Sequence, residues 1–167
     1  MIKADDLREF RPQVRYQNGE SITLTTVQDA IKDCAMRMGI PVAFTSDQVK
    51  SGGLFNSSID DCLVMYHPEH ERDYFRFCIR IRRQGSYAFV DIHEFGTSKQ
   101  MNKAYRSELA KEGVKGYFKA GNEYDTGKMI GQAIGGALGS IGKSKAKLEE
   151  EQMYYQCVFD IFDEIVR

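Results

Sequence analysis

Apolar and polar positions alternate through the middle of the chain with a period of two, while flanking stretches repeat at about 3.6 residues. Residues 61–67 (DCLVMYH), 73–83 (DYFRFCIRIRR) and 86–95 (SYAFVDIHEF) carry the period of two and predict a three-strand antiparallel meander. Residues 68–72 make its first loop and Gln84-Gly85 its second turn. That spacing sets Phe77 opposite Leu63, Phe75 opposite Met65, Ile81 opposite Ala88, Ile79 opposite Val90 and Phe77 opposite Ile92. One face is then wholly apolar, from Leu63 and Met65 through Phe75, Phe77, Ile79 and Ile81 to Ala88, Val90 and Ile92. A one-residue slip would scramble it.

The helical period appears first in Val27, Ala30, Ile31, Cys34, Ala35 and Met38. It predicts a helix capped by Thr26, with Asp29 as its capping-box partner, and ended by Gly39 before Pro41. Asn18-Gly19 predicts a tight turn between strands at 14–17 and 20–25. Further short strands are expected at 41–45 and 54–57. Thr97 and Gln100 open a helix with Met101, Ala104, Tyr105 and Leu109 on its apolar side. The chain closes with a helix from about Lys145 to Val166, where Tyr154/Val158/Ile161/Ile165 and Tyr155/Phe159/Phe162/Val166 form two adjacent apolar rows. The expected class is α+β, an antiparallel sheet covered by helices. The expected organisation is an α+β domain over 1–120, with a glycine-rich segment and C-terminal helix over 121–167 packed on it.

Between Gly127 and Gly142 lie six glycines, of which Gly127, Gly131, Gly135 and Gly139 recur every fourth residue. On a helix they make a smooth stripe that admits another backbone, flanked by Ile130, Ile134 and Leu138. Each helical glycine costs about 1 kcal/mol relative to alanine, so the set costs roughly 5 kcal/mol. Close packing has to return that energy. The window between Lys128 and Lys143 would reach about 20 Å as a helix, short of the ~30 Å hydrocarbon core. A simple membrane span is disfavoured; insertion of residues 127–142 is the alternative kept.

Composition narrows the class. Hydrophobic residues make up 42% of 167 and charged residues 28%, which is globular. A net charge of −1 gives no global case for nucleic acid or an anionic membrane. Residues 1–11 lack the apolar core of a signal peptide, which sets a cytoplasmic expectation. Four cysteines without CxxC spacing read as buried thiols.

Candidate chemistry lies on the second face of the meander. In that register Cys62, Cys78 and Asp91 line up across the three strands and Val64, Arg76 and His93 form the next row, which makes Cys62, Cys78, Asp91 and His93 weak metal-ligand candidates, of the types zinc accepts. Their other reading is paired half-buried cysteines under a covering helix. Arg76, Arg80 and Arg82 interleave with Tyr87 and Phe89 as a candidate ligand face, of a kind that binds single strands or forms cross-strand cation–π pairs, Arg80 on Phe89 and Arg82 on Tyr87. His67 and His70 sit in the first hairpin loop, expected to be solvated. Residues 139–144 (GSIGKS) resemble a phosphate loop but lack its first glycine at the required spacing. No catalytic residue and no cofactor are expected. The function expected is a protein-interaction or regulatory module that packs closely at the glycine stripe, through a protein partner or self-association. Membrane association and a metal or enzymatic site on the second sheet face are the alternatives.

Overall fold

Strands β1 (Ile2–Lys3), β2 (Arg8–Gln17), β3 (Ala43–Ser51), β4 (Ser58–Tyr66), β5 (Arg76–Gln84) and β6 (Tyr87–Phe95) form one sheet in the order β1-β3-β4-β5-β6-β2. Helices α1 (Leu24–Met38) and α2 (Gly142–Ile165) complete an α+β fold. This computed structural model describes residues 1–53, 56–102 and 142–166. The glycine stripe from Gly127 to Gly139, with Ile130, Ile134 and Leu138, lies outside the described residues, as does most of the helix expected after Thr97. Among the described residues no helix is long and apolar enough to cross a membrane.

The pairing is antiparallel except for β1 beside β3. Its register differs from the sequence expectation by two residues. Leu63 faces Ile79 and Met65 faces Phe77; Ile79 faces Ile92 and Ile81 faces Val90. The turn residues are the cause. Gly85, at φ +59°, takes the first central position of the two-residue turn, so Gln84 pairs with Tyr87. The first connection occupies residues 67–75, longer than expected, which leaves Phe75 outside the ladder. A shift of two preserves the side of every residue, so the apolar face survives.

That face holds the main core. Leu63, Met65, Phe77, Ile79, Val90 and Ile92 meet Ile31, Cys34 and Ala35 of α1 and Tyr155, Val158, Ile161 and Phe162 of α2. Phe10 from β2 inserts edge-on to Phe77 at 4.7 Å. The apolar rows of α2 are thus buried in a core shared with the sheet and α1.

Helix α1 begins earlier than its apolar stripe implied. Thr23 is the N-cap, and its side chain accepts from the Thr26 backbone N–H while Thr26 closes the reciprocal box. No strand covers 20–25; Gly19–Ser21 is a 3-10 turn. Gly19 is there for close approach, since a Cβ would lie 2.5 Å from the Ala88 Cβ. The later helical turn is capped by Ser98, not Thr97: its Oγ accepts from the Met101 N–H at 3.1 Å.

The second face is closed at one end by the chain's own start. Residues 4–7 alone connect β1 at one sheet edge to β2 at the other. In a flat sheet those edges stand about 24 Å apart, five gaps of about 4.8 Å. Five extended steps reach only about 17 Å. The sheet is therefore curled, bringing its two edges within reach of that connection. Ala4 and Leu7 pack there against Ile2, Val49, Cys62, Val64, Cys78 and Phe95.

Candidate functional site

Beyond that apolar end, the second face becomes polar in three successive rows across β5 and β6. Cys78 faces His93, Arg80 faces Asp91, and Arg82 faces Phe89. The expected rows of Cys62, Cys78 and Asp91, and of Val64, Arg76 and His93, are both corrected by the two-residue shift. Cys62 instead faces Arg80, and Val64 faces Cys78. The expected ring pairs also change: Arg82 stands opposite Phe89, and Gln84 opposite Tyr87.

Diagonal contacts organise these rows. Arg82 reaches across to Asp91, Nε to Oδ2 at 2.7 Å, although Arg82 is 53% exposed and Asp91 only 4%. Gln13 of β2 donates a second hydrogen bond to Asp91. Burial alone would raise the Asp91 carboxyl; Arg82 and Gln13 outweigh it, and the group stays below the usual carboxylate range. Asp91 makes its hydrogen bonds to Arg82 and Gln13 and meets Arg80, its cross-strand neighbour, through charge alone.

Arg80 and His93 are left over. Arg80 Nε and His93 Nδ1 are both buried without a hydrogen-bond partner. A buried donor with no acceptor is costly, typically about 1–3 kcal/mol. Burial lowers the His93 pKa below its ordinary value and Arg80 lowers it further, against opposing pulls from Asp91 and Glu9. His93 is therefore held neutral beside a permanent cation.

The thiols form a separate pair. Cys78 hydrogen-bonds to Cys62, which holds the Cys62 thiol below its usual range, while that bond and burial push Cys78 up. All four cysteines are free. Among the described residues no group of three or more His, Cys, Asp or Glu side chains comes together to hold a metal ion. Cys62, Cys78, Asp91 and His93 share the face but do not converge.

Two aromatic rings of the face carry guanidinium groups. Arg76 lies over Phe95 at 4.5 Å, and Arg15 of β2 lies over Tyr87 at 5.4 Å. Those ring faces are not free to stack on bases.

Two further features were not anticipated from the pattern. Glu94 is buried on the helix side of the sheet, where Arg8 Nε reaches its Oε1 at 3.1 Å. Glu151 of α2 is fully buried and accepts from the Tyr155 hydroxyl, which itself accepts from the Phe75 N–H at 2.8 Å. Burial pushes the Glu151 carboxyl up to about 7, more than its hydrogen bonds to Ser98 and Tyr155 pull it down. The loop histidines are not simply solvated: His70 stacks on Tyr74 at 4.2 Å, and His67 meets Tyr154 at 4.7 Å.

No protein-family model, curated protein or solved structure matches this chain.

Proposed function

We propose that this protein is a non-enzymatic interaction module, and that it presents the second face of its sheet to an acidic segment of a protein partner. The observation that carries this reading is Arg80, a half-buried guanidinium whose Nε has no acceptor while its cross-strand neighbour Asp91 is committed to Arg82. A partner carboxylate pairs with the solvent-accessible part of this half-buried side chain, whose Nε is itself closed to solvent. Occupied ring faces at Tyr87 and Phe95 and a net charge of −1 argue against a single-stranded nucleic acid as the ligand. Free thiols fit a reducing compartment, and the cytoplasm is part of the proposal.

The test is calorimetric titration with a hexaglutamate peptide. Arg80→Ala removes charge-assisted hydrogen bonds of about 1.5–3 kcal/mol, so affinity drops roughly tenfold to a hundredfold. Lys147→Ala, an exposed cation on α2, is the control and leaves affinity unchanged. Equal losses in both variants would reduce the binding to general charge attraction.

The glycine stripe supplies a second proposed contact, argued from composition alone. Its roughly 5 kcal/mol helical cost is offset when another backbone packs on it. Gly135→Leu combined with Gly139→Leu then changes stability or oligomeric state, read by denaturation and light scattering. A double variant unchanged in both rules that contact out.

A further inference from the structure

Three segments meet at one buried carboxyl, on the helix side of the sheet and away from Arg80. Glu151 of α2 accepts from the Tyr155 hydroxyl, and that hydroxyl accepts from the Phe75 N–H at the end of the β4–β5 connection. Ser98, in the turn after β6, also hydrogen-bonds the carboxyl, and its Oγ holds the Met101 N–H at 3.1 Å. Ser98, Met101, Tyr155 and Glu151 are all fully buried. Neither Phe75 nor Ser98 belongs to a strand, so the sheet ladder does not hold them. The Glu151 carboxyl is common to both of these hydrogen-bonded links to α2. Its second oxygen, Oε2, is buried without a hydrogen-bond partner. A neutral acid tolerates that position far better than a carboxylate does.

We propose that Glu151 is a proton-controlled latch: with its proton it holds the Phe75 end of the β4–β5 connection and the Ser98 turn on α2, and on ionising it releases both from the helix while the sheet stays folded. The surrounding groups support the sign. From the β4–β5 connection, Asp73 opposes ionisation of Glu151 more than His70 assists it, and those two pair with each other at 3.2 Å. Tyr74 of that connection is pushed up to about 12 and Tyr155 of α2 well above its usual range, so both keep their protons near neutral pH. Glu94 of β6 acts on Tyr155 from the sheet and is paired with Arg8 of β2. On α2 itself, Glu149 and Glu150 are exposed. The closed latch keeps its proton up to about pH 7, whereas a solvated glutamate loses it near 4.5. Between those values each opening gives up to one proton to solvent, and only hydrogen bonds are broken. The open fraction therefore rises by up to about tenfold per pH unit and levels off above about 7, where the closed carboxyl is ionised as well.

Amide hydrogen exchange of the full-length protein, followed by NMR from pH 5 to pH 8 and corrected for the intrinsic pH dependence of exchange, tests the latch. The Phe75 and Met101 N–H groups are bonded to side-chain oxygens of the cluster and report it directly. Amides of the β5–β6 ladder report global unfolding. Phe75 and Met101 are expected to be less protected than the ladder and to lose protection together, by roughly 50-fold between pH 5 and pH 8. In Glu151→Gln, which keeps the shape without the charge, both amides are expected to hold their pH 5 protection throughout. Protection of Phe75 and Met101 equal to that of the ladder at every pH would make the opening global and overturn the latch. Protection that does not change with pH in the unsubstituted protein would overturn it too. A pH dependence that persists in Glu151→Gln would assign the opening to the His70–Asp73 pair instead and overturn the role of Glu151.

Discussion

Glu151→Gln is expected to stabilise the protein at pH 8 by up to about 3 kcal/mol and to change it little at pH 5. The carboxyl has a folded-state pKa of about 7 against an ordinary value of 4.5. Between those values the folded chain binds more protons than the unfolded chain. Stability therefore falls as pH rises through the window, and the loss is complete above about 7. Glutamine keeps the shape and an acceptor oxygen for Tyr155 but carries no charge to bury. Urea denaturation of both proteins at pH 5 and pH 8 checks this. A native protein equally stable at the two values, or a Gln variant weaker at pH 8, shows that Glu151 is not held protonated in the fold.

Phe77→Ala should be the most damaging single change in the sheet. Phe77 is fully buried at the centre of the core, edge-on to Phe10 at 4.7 Å and to Tyr155 and Phe162 at 6.0 Å each. Truncation of a buried Phe costs about 3–5 kcal/mol in lost transfer energy and residual cavity. In a chain of this size that lowers Tm by roughly 6–20 °C. Phe77→Leu refills most of the space and should lose less than half as much. Scanning calorimetry separates the two, and similar losses in both would mean that ring contacts, not volume, hold this part of the core.

The period-two pattern made one sheet face legible because parity does not depend on exact register. Leu63, Phe77, Ile79, Val90 and Ile92 share a face in the expected and in the observed pairing alike. What depends on register is which polar residues meet. A two-residue error carried Asp91 to Cys78 and separated His93 from it, and only the placement of Gly85 in the turn corrects both. Hence Arg80 and His93 were each visible as candidates, but their diagonal relation was not. Gly39 ended α1 as expected because a left-handed cap is a local requirement, met here at φ +69°. The start of α1 was less legible: Thr23 and Thr26 are both competent caps, and the choice rests on the 3-10 turn before them. The buried acids had no sequence signal. Glu94 continues the alternation of β6 as if it were apolar, and Glu151 stands among Glu149 and Glu150, where a solvated helix start was the natural reading.

The central claim is that the second sheet face, through Arg80, is a surface for acidic ligands. Backbone amide NMR during hexaglutamate titration tests it most directly. The account predicts shifts concentrated on β5 and β6 around Arg80, Asp91 and His93, and lost in Arg80→Ala. Shifts that fall on α1 and α2 instead, or that persist unchanged in Arg80→Ala, would contradict it.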